Sequence, residues 1–165
     1  MVRTKSIELL NAAVAEEMQS IHQYLYFHIF CEKKGYKILA NLFDQISVVE
    51  MKHLEILSER ILRLGGNVRF KLTHKVAKTT HPKQMINMAL AMESQAVENY
   101  NMWAQMAMDN SDTVSQKLFE QLAIQEMEHA EEFEIKIRRF EELSGMHIAF
   151  SPRQFCRKKE AELSL

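Results

Sequence analysis

Only four glycines, two prolines and two cysteines occur in this chain of 165 residues. Glycine and proline fall far below their average usage. So few turn formers exclude an all-β sandwich, which must reverse direction at short, regular intervals. The two cysteines, Cys31 and Cys156, stand at no metal or redox spacing and predict free thiols in a reducing cytoplasm. Neither sign of charge dominates, with 21 Lys and Arg against 22 Asp and Glu, so the chain carries no basic footprint for nucleic acid. No apolar run reaches the ~20 residues that a membrane span requires. Glu8 and Asn11 interrupt the stretch from Ile7 to Ala15 that would otherwise read as a signal-peptide core. What the chain does have is apolar character, 47% of its residues, too much for disorder. Its length suits one domain over residues 1–165 with a real core.

The few breakers divide the chain cleanly. Nothing interrupts a helix from about Ser6 to Lys33, and Gly35 marks a turn. A second stretch runs from about Tyr36 to Leu64 and stops at Gly65-Gly66. A third starts at Pro82, a good first-turn residue, and runs to about Asp109. Asn110-Ser111-Asp112 supplies a turn and a cap, and a fourth helix runs to about Ser144-Gly145. Ser151-Pro152 begins a short fifth helix over about 152–161. The four long helices are each roughly 40 Å in length. The short turns at Gly35 and at Asn110-Ser111 force antiparallel neighbours. The connection from Gly65 to His81 exceeds an ordinary helix–helix loop. It is long enough to run the height of a bundle and leave the second and third helices parallel. The expected fold is all-α: two helical hairpins joined by a long crossover, the ferritin-like topology, with the bundle over about 5–145.

Each long helix has an apolar seam stepping by three and four residues. The seams read Leu10, Val14, Glu17, Ile21, Tyr24, His28; Leu39, Phe43, Ile46, Glu50, His53, Leu57; Ile86, Leu90, Glu93, Val97, Tyr100, Ala104; and Phe119, Leu122, Glu126, His129, Phe133. Every seam carries a glutamate where the pattern asks for an apolar residue, and two carry a histidine one turn later. An unpaired carboxylate in a dry core costs several kcal/mol, and four in one layer repel one another. Two divalent cations would cancel four carboxylates, with two imidazoles completing the donor set. The spacing supports a shared layer, because Glu17 and Glu50 are separated by the same stretch of chain as Glu93 and Glu126. One constant shift along the chain maps Glu17, Tyr24, Glu50, Met51 and His53 onto Glu93, Tyr100, Glu126, Met127 and His129. Each half thus contributes one Glu from its first helix and Glu-x-x-His from its second, the ligand set of di-iron carboxylate bundles. The i, i+3 spacing puts Glu and His on one helix face. Oxygen and imidazole donors suit iron or manganese. A lone Glu-x-x-His usually marks a solvated face; two matched motifs on buried seams do not.

At these residues the chain resembles the bacterioferritin branch of the ferritins. The stretch Glu17-Met-Gln-Ser-Ile-His-Gln-Tyr24, the motif Glu50-Met-Lys-His53 with Ser58-Glu-Arg-Ile61 after it, Glu93, and Glu126-Met-Glu-His129 carry the likeness over about residues 5–145. The resemblance implies a hollow cage of 24 subunits built from two-fold dimers, in which intrasubunit di-iron centres oxidise Fe(II) with O2 or H2O2 and Fe(III) mineral accumulates. It implies that Glu17, Glu50, His53 and Glu126 hold one iron, that Glu93, Glu126, His129 and Glu50 hold the other, and that Glu50 and Glu126 bridge. Tyr24 then stands near the site as a hydrogen-bond or electron donor, or is simply a packed core tyrosine. The resemblance further implies that Met51 ligates a b-type haem across a two-fold dimer, with a ferredoxin as reductant for iron release. Met51 points about 100° away from Glu50 on the helix, among the outward apolar residues Met18, Leu25, Val48 and Leu54, although methionine also fills apolar surfaces readily. Met85, Met88, Met92, Met102, Met106 and Met108 read as packing. Two positions depart from the family: Gln45 and Val49 stand where its inner-surface iron site has His and Asp. The segment Tyr24-Leu-Tyr-Phe-His-Ile-Phe30 is apolar nearly all round, which one bundle cannot bury, so a neighbouring subunit is expected to cover it.

Two other classes share parts of this pattern. A rubrerythrin-like di-iron peroxidase or oxidase uses an overlapping donor set. It normally adds a Cys-rich electron-transfer module, which Cys31 and Cys156, near opposite ends of the chain, cannot build. A non-enzymatic helical bundle with a polar core layer needs no metal. The segment Arg157-Lys158-Lys159 reads as a solvated face of the fifth helix.

Overall fold

A computed structural model describes residues 2–145 and contains four helices: α1 Val2–Lys34, α2 Lys37–Arg63, α3 Pro82–Asp109 and α4 Thr113–Gly145. The expected fifth helix, over about 152–161, lies outside the described residues, as does Cys156. The four boundaries fall within a few residues of those set by the breakers, because each break has a chemical cause. Gly35 (φ +80°) and Gly65 (φ +76°) hold the left-handed conformation that closes a helix C-terminus. In both turns paired backbone bonds satisfy the last carbonyls, Gly35 N–H to Glu32 O and Tyr36 N–H to Cys31 O in one, Gly65 N–H to Leu62 O and Gly66 N–H to Ile61 O in the other. The turn after α3 makes the same pair of bonds, from Ser111 N–H to Met108 O and from Asp112 N–H to Ala107 O. There a serine occupies the left-handed position (φ +57°), and the internal repeat matches it to Gly35. Asp112 then caps α4 by accepting from the Ser115 N–H at 3.1 Å, and Arg60 of α2 reaches it at 2.6 Å. Burial alone would raise the Asp112 carboxyl, but Ser115 and Arg60 outweigh it and hold the group below its usual range.

Helices α1 and α2 pack as one hairpin, and α3 and α4 as the other. The buried residues form two apolar plugs. One joins Leu10 and Val14 of α1, Leu57 and Ile61 of α2, Tyr100 and Trp103 of α3, and Phe119 and Leu122 of α4. The other joins Tyr24 and Phe27, Phe43 and Ile46, Met85 and Ile86, and Phe133. The N-terminal half of α2 therefore packs at the same end as the N-terminal half of α3, so the two run parallel, as the crossover length required. Side-chain amides of α1 hold that crossover in place. Asn11 donates to Asn67 O and accepts from Arg69 N–H, Gln19 accepts from His74 N–H, and Gln23 both donates to Ala77 O and accepts from Ala77 N–H. The crossover thus meets these backbone needs without a strand partner.

The methionines divide. Met85 is fully buried and Met88 and Met92 pack against the core, but Met102, Met106 and Met108 are exposed on this subunit, so the packing role expected of those three is not what the chain shows. They lie on the outer side of α3, where the helical period carries residues away from the bundle. Among the described residues no helix is long and apolar enough to cross a membrane.

The left-handed serine stores strain that its glycine counterpart avoids. Ser111→Gly is expected to stabilise the protein by about 1 kcal/mol, raising the thermal midpoint by roughly 2–4 °C. An unchanged or lower midpoint in a melting experiment would contradict that account of the turn.

Candidate metal centre

Between the two apolar plugs lies a layer of buried polar groups: Glu17, Glu50, His53, Glu93 and Glu126, with His129 partly buried. All six residues singled out by the sequence meet there. They fall into two overlapping sets of four donors. Glu17, Glu50, His53 and Glu126 form one, and Glu50, Glu93, Glu126 and His129 form the other. In each set the nearest N and O atoms lie within 4.8 Å of one another. Glu50 and Glu126, the glutamates of the two Glu-x-x-His motifs, belong to both sets.

The geometry is nearly two-fold. His53 Nδ1 faces Glu50 Oε2 at 2.8 Å, Glu126 Oε1 at 2.9 Å and Glu17 Oε2 at 3.8 Å. His129 Nδ1 faces Glu50 Oε1 at 3.1 Å, Glu126 Oε2 at 3.2 Å and Glu93 Oε2 at 3.8 Å. The imidazoles lie 5.8 Å apart, 21° from parallel. Despite their short contacts, both Glu50 oxygens, Glu126 Oε1 and both His53 nitrogens lack a hydrogen-bond partner of acceptable geometry. His129 Nδ1 does bond Glu126 Oε2 at 3.2 Å, but the other atoms converge without bonding one another, which suits a third body between them. Donors bound at ~2.1 Å to a common cation, at right angles, sit about 3 Å apart, close to the spacing of the His contacts with Glu50 and Glu126. The residues present therefore fit a pair of divalent cations, one in each set.

Two tyrosines complete the layer from outside it. Tyr24 OH donates to Glu93 Oε1 and Tyr100 OH donates to Glu17 Oε1, both in short contacts. Each tyrosine stands two turns after the glutamate of its own helix and serves the glutamate of the other hairpin. Antiparallel α1 and α3 bring this about, since each helix then lays its tyrosine beside its neighbour's glutamate. The rings are locked in the plugs, Tyr24 between Phe43 and Phe133 and Tyr100 against Trp103 and Phe119. With one oxygen of Glu17 and of Glu93 tied to a tyrosine, the other oxygen faces the centre. The family resemblance implies Tyr24 near the site, or a core tyrosine; it does not single out Tyr100 for the matching role, although the internal repeat pairs the two.

Burial and crowding decide the protonation of this layer. Desolvation, reinforced by Glu50 and Glu126, lifts Glu17 well above the usual carboxylate range. Desolvation likewise lifts Glu93, against an opposing contact with His129. Burial favours a protonated Glu126 too, but His129 and His53 outweigh it and hold that carboxyl at about 2. Burial would lower both imidazoles, yet the facing carboxylates push His53 up to about 9 and His129 up to about 12. Without cations, the upward shifts of Glu17, Glu93 and both histidines favour proton retention in the layer, which limits its net charge.

Two outcomes follow. Cations must displace those protons, so loading with Co(II) at neutral pH is expected to release protons, and affinity is expected to weaken as pH falls. Titration in weakly buffered solution reads both, and a pH-independent affinity would show that the layer is already deprotonated. Because hydrogen bonds behind ligands typically tune affinity about 10- to 100-fold, Tyr100→Phe should weaken by that much the cation site containing Glu17, and Tyr24→Phe the one containing Glu93. Equal effects of each variant on both sites would contradict the assignment.

Comparison with known proteins places these features in context. A family model of the ferritin-like domain matches residues 7–143. The bacterioferritin of Desulfovibrio desulfuricans is 30% identical over 132 residues, covering 80% of this chain and 74% of that protein. The bacterioferritin of Rhodobacter capsulatus is 29% identical over 145 residues, covering 88% and 90%. The solved structure of the Desulfovibrio protein, which shows its diiron site in different catalytic states, superposes with a TM-score of 0.85 at 28% identity, over 90% of this chain and 86% of that one. The Rhodobacter structure, with a metal-free dinuclear site and haem iron in a crystallographic special position, superposes at 0.81 and 28%, over 85% and 88%.

Proposed function

From the premise that the chain belongs to the bacterioferritins, within the ferritin-like domain family, we propose that it oxidises Fe(II) at the buried layer and stores the product as Fe(III) mineral inside a cage of 24 copies. The observation that carries this reading is the pair of overlapping four-donor sets, in which both Glu50 oxygens, Glu126 Oε1 and both His53 nitrogens lack hydrogen-bond partners. In this reading Fe(II) is the substrate: two ions occupy the sets, each gives up an electron to O2 or H2O2, and the oxidised ions pass on to the mineral. Glu17, Glu50, His53 and Glu126 hold one ion, Glu93, Glu126, His129 and Glu50 the other, and Glu50 and Glu126 bridge.

The protein's own contribution is charge and placement. Four carboxylates in a dry layer favour Fe(III) over Fe(II), because the attraction between fixed charges strengthens where water is excluded. The bridging pair holds the ions close enough for one oxidant to meet both. Tyr24 and Tyr100 fix the outer glutamates and stand as hydrogen-bond donors at the layer, and Tyr24 is in position to serve as an electron donor. The apolar plugs keep the layer from water on both sides.

Assembly has its own support. Leu25, Ile29, Val48 and Met51 are between 42% and 57% exposed on this subunit, an apolar surface of the α1–α2 hairpin that a neighbouring copy would cover. Met51 follows the bridging Glu50 but points out of the bundle, where two copies across a two-fold axis would offer two thioethers to one haem. A ferredoxin is the reductant class that this reading assigns to iron release.

Glu50→Ala and His129→Ala are expected to abolish rapid Fe(II) oxidation in stopped-flow absorbance while leaving a particle of hundreds of kDa in size-exclusion chromatography. Wild-type oxidation rates in either variant would overturn the site. A particle of only twice the chain mass of 19.3 kDa, in place of the large one, would overturn the cage. Met51→Leu should remove the Soret band of the purified assembly without changing its size; a retained band would refute haem ligation there.

A further inference from the structure

A cavity of about 270 Å³ opens between α1 and α3 and reaches the metal layer. Glu17 and Glu126 line its inner part, and Glu126 Oε1 is one of the buried oxygens without a hydrogen-bond partner. Thr73 and His74 of the crossover and Glu16 and Gln19 of α1 also line it, with Met92 and Gln95 of α3 among the residues opposite. The two plugs close the bundle above and below the layer, so this gap is an opening through its side.

The wall of the cavity is built, and its polar groups are placed. Gln19 Oε1 accepts from the His74 N–H at 3.0 Å, which pins the crossover where the histidine borders the cavity. Asn99 of α3 reaches across the gap, its Nδ2 at 2.9 and 2.8 Å from the two oxygens of Glu16. This partner is a neutral amide, which holds the carboxylate in place without cancelling its charge. The internal repeat makes Glu16 conspicuous. Across the cavity the repeat matches Gln19 with Gln95 and Ser20 with Ala96, but it matches Glu16 with Met92. Where the repeat has a thioether packed on the core, α1 has an anion that leads to Glu17.

We infer that this cavity admits Fe(II) to the layer, and that Glu16 and His74 form a transient cation-binding pair that passes the ion to Glu17 and Glu126. The inference rests on the function proposed above and adds residues to it. The carboxylate raises the local cation concentration at the opening, the imidazole supplies a second donor as the ion sheds water, and the carboxylates of Glu17 and Glu126 at the inner wall receive it. Glu16 and His74 are positioning residues in this scheme, since neither belongs to the four-donor sets.

The test uses Co(II), added without oxygen to the full assembly and followed by stopped-flow absorption, with both the rate and the final stoichiometry recorded. Glu16→Gln is expected to slow loading roughly tenfold at low salt and to flatten its salt dependence. His74→Ala should slow it as well. Both variants should still bind two Co(II) per chain, and Glu120→Gln, which removes an exposed charge of α4 outside the cavity lining, should load at the wild-type rate. Wild-type loading rates in both Glu16→Gln and His74→Ala would overturn the inference and direct the route to the partly exposed His129 side. A wild-type protein that takes up no Co(II) would instead overturn the metal centre itself, so the two failures are told apart.

Discussion

Four carboxylates and two imidazoles in one water-poor layer set the terms for the rest of this structure. Such a layer destabilises a bundle unless its charge is neutralised. Protons can do this when no cations are present, and two divalent cations can do it with the full donor set. The packing above and below the layer holds it in register and keeps water from its two ends. Aromatic and aliphatic plugs seal both ends, and the tyrosines tie down the outer glutamates. In the proposed function the stability of the protein and its chemistry are thus coupled at one place, because the groups that cost most to bury are those assigned to the ions.

The internal repeat explains why so few residues close the layer. One hairpin contributes Glu and Glu-x-x-His, and a second copy related by a near two-fold axis doubles this into two overlapping donor sets that share Glu50 and Glu126. The correspondence continues outward: Phe43 and Phe119 flank the two tyrosines, and the turns at Gly35 and Ser111 share one hydrogen-bond pattern. Departures from the repeat are equally informative. Trp103 stands for Phe27 beside Tyr100, serine stands for glycine in a left-handed turn, and Glu16 faces Met92 across the side opening. Packing tolerates the first and the turn bears the second at some strain. The third puts an anion where the repeat has an apolar side chain, at the point where a cation would approach.

Much of the fold was legible because helices, turns and seams are local. Gly35, Gly65 and Pro82 end or begin helices through their own backbone preferences, and the three-and-four spacing of apolar residues reports which face turns inward. That six candidate residues share one layer was legible for the same reason, as polar intrusions on apolar seams. Tyr100 was less so: a tyrosine on a seam looks like core until its hydroxyl is known to meet Glu17, on a helix distant in the chain. Asn11, Gln19 and Gln23 carry no signal at all in sequence, since amides on a helix read as solvent-facing until the crossover is laid over them. Met102, Met106 and Met108 read as packing because methionine is apolar, but helix rotation places them outside.

By itself the sequence determined the number and span of the long helices, the parallel run of α2 and α3, and the presence of four carboxylates and two histidines on buried seams in two matched halves. Those properties follow from periodicity, chain length and the conformational limits of single residues. Only the tertiary structure decided which oxygen faces which nitrogen, that each tyrosine serves the opposite hairpin, and that an opening beside Glu16 and His74 reaches the layer. Such relations depend on the relative rotation and height of packed helices, which long-range contacts set and no local pattern encodes.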